Sequence, residues 1–60
     1  SFSALLAADR LRRAAALLES GDLSVVNVAL TVGYATPSGL YKQFCAAYGM
    51  PPAAYRKLFR

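Results

Sequence analysis

The side chains best able to make directional contacts with a ligand lie close together in one stretch of the sequence. Thr36, Ser38, Tyr41 and Lys42 supply hydroxyl, phenol and ammonium groups. Such groups donate hydrogen bonds to phosphate oxygens and to acceptor atoms on base edges. The sequence has no histidine and only three acidic residues, so we expect no metal site, no cofactor and no Ser–His or Cys–His nucleophile. A Lys or Tyr general base is the enzymatic alternative that remains, and we interpret the chain as a binding protein, not an enzyme.

The charge balance favours an anionic partner. Seven Lys or Arg residues stand against three Asp or Glu residues, which gives a formal net charge of +4. A surplus of this size on a small domain suits a polyanion, and duplex DNA is the commonest one. A basic domain without such a partner accounts for the charge equally well, so charge alone does not decide.

Compartment and chain context can also be predicted. Cys45 is the single cysteine, which excludes an intrachain disulfide and favours a reducing compartment such as the cytoplasm. Charged residues in the segment 9–13 interrupt the apolar pattern, so no membrane span is expected. No signal peptide is expected, since the start at Ser1 lacks a basic region. Because the sequence does not begin with Met, we expect a fragment of a longer protein.

Helical periodicity and its breaks predict a compact all-α domain of about four helices over residues 1–60. The first helix is expected over residues 3–20, and Gly21 is expected to close it in the left-handed conformation. A last short helix is expected over residues 51–60 after the Pro51–Pro52 pair.

The two middle helices have clear start signals. Ser24 is a preferred N-cap for a helix that runs from Val25 to Thr31 or Val32. Thr36 is an N-cap followed by Pro37 at the first helical position, and this helix should continue over 37–48 until Gly49. Its buried positions are predicted to be Leu40, Phe44, Ala47 and Tyr48, with positions 37, 38, 41, 42 and 45 facing outward.

The segment 24–48 has the pattern of a helix-turn-helix in a homeodomain-like unit. Ala29 is a small residue that allows a second helix to cross closely, and Gly33 tolerates a positive φ in the turn. Apolar residues flank this pair at Val28, Val32 and Tyr34, and the turn is expected to be slightly extended. The second helix of such a unit enters the major groove, with its N-terminal half nearest the base edges.

The exposed residues of that helix predict which chemistry it can perform. Lys42 can donate to guanine or to a phosphate, and Ser38 can contact either base or backbone. Pro37 and Gly39 offer no side-chain donor, while Tyr41 is open between a phosphate contact and packing at the helix edge. Gln43 lies just off this face. We predict DNA contacts from six residues: Thr36, Pro37, Ser38, Gly39, Tyr41 and Lys42.

The ordered series of these residues resembles the AraC/XylS regulators over about Leu5 to Arg60. The matching positions are Arg10-Leu11, Ala14, Leu17-Leu18, Asp22-Leu23-Ser24, Val28-Ala29, Val32-Gly33-Tyr34, Ser38, Leu40, Lys42, Phe44, Gly49, Pro52 and Tyr55-Arg56. The resemblance implies a linking helix, the second of two helix-turn-helix units and a closing helix. It also implies a bacterial transcription regulator. Members of the family are mostly activators, and they often carry an effector-sensing domain, which we expect elsewhere on the full chain.

The resemblance implies roles for particular residues, and at some positions the residue type differs from the family's usual one. Arg10, Gly33 and the Tyr55–Arg56 pair resemble scaffold members of the motif and are not predicted DNA contacts. Lys42 stands where the family usually has Arg, which keeps the charge but loses the planar fork suited to guanine. The departures at positions 37, 39 and 45 predict weak base reading by this unit.

Two other functions remain open from the sequence. The same fold can act as a protein-interaction module that contacts RNA polymerase and has little DNA affinity of its own. A helix over residues 4–18 carries Arg and Leu in proportions that also suit a membrane surface.

Overall fold

The computed structural model describes the backbone of residues 2–59 and the side chains of residues 6–59. Four α-helices and no strand occur in this part of the chain: α1 (Phe2–Ser20), α2 (Val25–Thr31), α3 (Pro37–Tyr48) and α4 (Pro52–Lys57). The all-α fold predicted from the sequence is confirmed. None of the described helices combines the length and hydropathy that crossing a bilayer requires.

The ends of the middle helices follow from local chemistry. The Ser24 hydroxyl accepts a hydrogen bond from the Asn27 N–H at 3.1 Å, as expected of an N-cap. Thr36 occupies the N-cap position of α3 in an extended conformation, but its side chain makes no capping hydrogen bond. Pro37 sets the helical φ at the first position and needs no N–H partner there. Gly49 ends α3 in the left-handed conformation with φ 75°.

Two helix ends differ from the sequence-based predictions. Gly21 was expected to be left-handed, but positive φ is confined to Gly33 and Gly49 among the described residues. Its N–H instead donates to the Leu17 carbonyl at 2.9 Å, which prolongs the helical bonding pattern of α1. The last helix ends at Lys57, earlier than predicted, because the 58–59 segment tightens into a turn. Arg60 lies outside the described residues.

The hydrophobic core lies where the first three helices meet. Its largest side chains are Leu18 of α1, Val28 of α2, and Leu40 and Phe44 of α3, all fully buried. Small residues fill the remaining space, and this allows the helices to approach closely. They are Ala14 and Ala15 of α1 and Ala29 of α2. The core therefore joins both helices of the predicted helix-turn-helix to α1.

One predicted core residue is exposed. Ala47 lies at the surface, where it lines a shallow groove between α1 and the end of α3, together with Leu11 and Tyr48. The periodicity of α3 placed Ala47 beside Phe44, but α1 does not cover that edge of the helix. Phe44 and Tyr48 stack with ring centroids 4.3 Å apart, which closes the core below Ala47.

The short helix α4 packs back on α1 through polar contacts. Arg56 Nε donates to the Leu18 carbonyl at 3.2 Å, and a second nitrogen of the same guanidinium donates to the Leu23 carbonyl. The Tyr55 hydroxyl donates to the Glu19 carboxylate, which is the largest cause of the rise in the Tyr55 pKa to about 12. These contacts satisfy one carbonyl near the end of α1 and one in the connection to α2, and they hold α4 against both.

Candidate nucleic-acid interface

The turn between α2 and α3 depends on Gly33. This residue has φ 105°, a conformation that L side chains rarely adopt. A Cβ atom built on Gly33 would lie 3.3 Å from Arg10 Nε. The N–H of Tyr34, the next residue, donates to the Ala29 carbonyl at 2.9 Å and so holds the turn against α2. The positive φ predicted for Gly33 is therefore confirmed.

Ala29 allows the two helices of the motif to meet. It is fully buried, and α2 and α3 pack against each other on this side of the core. Because Ala29 has a single methyl group, the backbone of α2 can approach α3 without a bulky side chain between them. The connection spans residues 32–36, so the turn has the slightly extended length that the sequence indicated.

Tyr34 connects three parts of the molecule. Its ring is 8% exposed, and Arg10 of α1 lies over one face with Cζ 5.7 Å from the ring centroid. Its hydroxyl donates a hydrogen bond to the side-chain carbonyl of Gln43 on α3. Burial raises the pKa of Tyr34, and the nearby Arg10 charge opposes that rise only in part. Tyr34 therefore keeps its proton and acts as a donor at neutral pH.

The predicted contact residues lie at the start of α3 and on its outer side. Thr36, Pro37, Ser38, Tyr41 and Lys42 are exposed, and Gly39 is half-buried. A Cβ atom built on Gly39 would be 3.2 Å from a ring carbon of Tyr34, so the absent side chain leaves room for that ring.

Four of the six predicted contacts lie on one exposed face of α3. Pro37, Ser38 and Tyr41 line a shallow groove of about 260 Å³ together with Val25 at the start of α2. Lys42 lies one helical turn after Ser38 and is exposed. Cys45, which was also expected to face outward, is half-buried. The groove and Lys42 together form the face of α3 that a ligand can approach.

The distribution of charge makes Lys42 the available cation of α3. On α1, Arg12 and Arg13 both pair with Asp9, at 3.7 Å and 3.0 Å. Arg56 is engaged with backbone carbonyls of the α1–α2 region. Within residues 6–59, Lys42 forms no ion pair. Its ammonium group is therefore free to meet an anion on the outer face of α3.

The sequence did not show the contacts that Gln43 and Arg10 make. It placed Gln43 just off the outward face without a partner, although Tyr34 offered a signal, since a buried phenol hydroxyl needs a hydrogen-bond partner nearby. It placed Arg10 in the scaffold without naming a contact, and the structure shows which residues Arg10 contacts. Arg10 covers the Tyr34 ring and limits the space at Gly33.

A family model described as a helix-turn-helix domain matches residues 1–58. The chain belongs to this family, in its AraC/XylS type, as its sequence pattern predicted. Its members are DNA-binding transcription regulators.

Individual relatives agree with this assignment. The melibiose operon regulatory proteins of Escherichia coli K12 and Escherichia coli O6:H1 are each 40% identical to the chain over 53 residues, which is 88% of it. The chain spans 18% of the length of these relatives. No solved structure matches the chain.

Proposed function

We propose that this chain binds double-stranded DNA by placing α3 in the major groove, as part of a bacterial transcription regulator that acts in the cytoplasm. The observation that carries the proposal is the exposed start of α3, where Ser38, Tyr41 and Lys42 lie on a helix fixed by the Gly33 turn. The contact residues are Thr36, Pro37, Ser38, Gly39, Tyr41 and Lys42.

The dimensions of α3 support this placement. An α-helix with its side chains is about 10–12 Å across, which fits a major groove about 12 Å wide, and the 12 residues of α3 give it a length of about 18 Å. Pro37 and Gly39 leave the first turn narrow, so the helix end can approach the base edges closely. Lys42 supplies the charge, and Ser38 and Tyr41 supply hydroxyl donors to phosphates or bases.

Partners of the full protein follow from the family and remain part of the proposal. We expect an effector-sensing domain elsewhere on the full chain and an action on RNA polymerase, since the relatives are operon regulatory proteins. In this view α1 is the linking helix that joins this unit to an earlier helix-turn-helix.

A salt titration of duplex binding tests the proposal. Fluorescence anisotropy with a labelled duplex should show binding at about 50 mM salt that weakens steeply towards about 200 mM. Lys42→Ala should weaken binding several-fold and make the slope of log K against log salt shallower by about 0.9 if Lys42 meets a phosphate. Ser38→Ala should weaken binding without changing the slope.

Lys57→Ala is the matched control, because Lys57 is an exposed lysine on α4 and not on α3. It should change both affinity and slope less than Lys42→Ala does. Absence of duplex binding at low salt would overturn the proposal. So would binding that survives Lys42→Ala and Ser38→Ala unchanged while circular dichroism shows both variants folded.

The outer face of α2 favours a second candidate function. Val26 and Leu30 lie one turn apart on this helix and are 50% and 53% exposed. An apolar pair of this kind can meet a protein partner such as RNA polymerase. If so, Val26→Ser with Leu30→Ser should abolish activation of a reporter by the full protein while duplex affinity stays unchanged. Loss of duplex affinity in the same variant would count against an interaction surface separate from the DNA face.

A further inference from the structure

The hydrogen bond between Tyr34 and Gln43 fixes which groups of the glutamine amide are available. A side-chain amide has a carbonyl oxygen that accepts hydrogen bonds and an NH₂ group that donates two. Here the Gln43 carbonyl oxygen accepts from the buried Tyr34 hydroxyl. Gln43 itself is exposed. The bond turns the carbonyl oxygen towards the buried Tyr34 side, so the NH₂ group is the part of the amide on the exposed side.

The position of Gln43 on α3 directs this NH₂ group towards the start of the helix. Side chains on an α-helix lean towards its N-terminus and cover the turn before their own Cα. The residue one turn before Gln43 is Gly39, and the space that a side chain would take there is occupied by the Tyr34 ring, 3.2 Å from an added Cβ. Tyr34, Gly39 and Gln43 thus form one unit beside the face carrying Lys42.

We infer that Gln43 is a specificity-determining contact that reads guanine in the major groove, and that Tyr34 is the residue that positions its amide. The inference rests on the proposed function, because it requires α3 to enter the groove. Guanine presents two acceptors there, O6 and N7, whereas adenine presents one acceptor and one donor. A glutamine with a free carbonyl reads adenine by donating and accepting at once. While the bond to Tyr34 holds the Gln43 carbonyl oxygen towards the buried ring, the amide meets a base edge with its NH₂ donors only and lacks the acceptor that adenine requires.

The test is a base-preference measurement with variants at both ends of the hydrogen bond. Sites are first selected from a pool of random duplexes, and the affinity for each base is then measured at the selected positions. The wild-type chain should prefer guanine to adenine at one position by roughly tenfold. Gln43→Ala should abolish the preference at that position alone. Tyr34→Phe, which keeps the ring and removes the hydroxyl, should shift the preference from guanine towards adenine.

A double variant distinguishes positioning from a general structural effect. With Gln43→Ala already present, Tyr34→Phe should produce no further change in base preference. A general loosening of α3 would instead lower affinity for all bases in both backgrounds, and that result would overturn the role given to Tyr34. Replacing the selected guanine by 7-deazaguanine removes the N7 acceptor without changing the protein. The base analogue should weaken binding of the wild type but not of Gln43→Ala. This comparison still tests the contact between Gln43 and guanine in the event that Tyr34→Phe does not fold.

Lys42→Ala separates failure of this inference from failure of the proposed function. If Lys42→Ala weakens duplex binding while Gln43→Ala leaves every base preference unchanged, α3 binds DNA and the inference about Gln43 is wrong. If the chain shows no salt-dependent duplex binding at all, the proposed function fails and the inference fails with it.

Discussion

At the scale of single residues, Gly33 is subject to two separate constraints. Its φ of 105° places it outside the regions open to L side chains, and Arg10 Nε would lie 3.3 Å from an added Cβ. Gly49 has only the first constraint, since it has φ 75° and nothing lies within 4 Å of its added Cβ. The two glycines therefore allow backbone strain to be separated from side-chain crowding.

We expect Gly33→Ala to lower the free energy of unfolding more than Gly49→Ala does. Strain alone should cost about 1–2 kcal/mol at either position, and the contact with Arg10 adds to the cost at Gly33. Urea unfolding followed by circular dichroism measures both values. Equal losses in the two variants would show that Arg10 moves aside without cost.

Tyr55 gives a prediction about alkaline pH. The hydrogen bond to Glu19 is the largest cause that raises the pKa of Tyr55 from its ordinary value of about 10 to about 12. The unfolded chain therefore loses this proton first, so the stabilisation is full below about pH 10 and is lost as pH rises towards 12. The free energy of unfolding of the wild type should fall over this interval more than that of Tyr55→Phe. Parallel curves for the two proteins would contradict a role for the hydrogen bond in stability.

At the scale of the elements, the two N-caps of the helix-turn-helix are unequal. Ser24 caps α2 with its hydroxyl, whereas Thr36 makes no such bond and α3 begins at Pro37. Ser24→Ala should therefore cost about 1 kcal/mol of unfolding free energy. Thr36→Ala is the matched control and should cost clearly less. A larger loss for Thr36→Ala in thermal unfolding would mean that its hydroxyl stabilises the helix in a way the structure does not show.

Local signals made the helix boundaries predictable. Ser24, Pro37 and Gly49 each act through the backbone next to them, so the sequence placed the limits of α2 and α3 correctly. The prediction of a left-handed Gly21 was wrong because its N–H keeps a helical hydrogen bond to Leu17, and no neighbouring residue type indicates this. The prediction of a buried Ala47 was wrong because its burial depends on the position of α1 relative to α3.

The candidate site shows the same division between local and tertiary information. Gly33 could be predicted because a turn of this length needs a residue that accepts positive φ. A buried Tyr34 hydroxyl indicates that some partner is needed, but the sequence could not show that this partner is Gln43, since the bond depends on how closely α3 approaches the turn. Gly39 allows this approach and carries no side chain that would indicate it. The six predicted DNA contacts remain predictions, because the DNA face is defined by a partner and not by packing.

At the scale of the whole molecule, stability and function share one small core. Phe44 is fully buried, stacks on Tyr48 at 4.3 Å and meets the edge of Tyr55 at 5.3 Å. It therefore joins α3 to α4. In a chain of 60 residues the total free energy of unfolding is about 3–9 kcal/mol. A single core residue can therefore decide whether α3 is presented at all.

We expect Phe44→Ala to unfold much of the population at room temperature. Loss of a buried phenylalanine costs about 3–5 kcal/mol, which is comparable with the whole stability of a domain of this size. Circular dichroism should show reduced helix content, and duplex binding should fall with it. Leu30→Ala is the control, because Leu30 is 53% exposed and its loss should change stability by no more than about 0.5 kcal/mol. A cooperative melt in Phe44→Ala with unchanged helix content would show that the core repacks around the missing ring and that Phe44 is not needed to hold α3 in place.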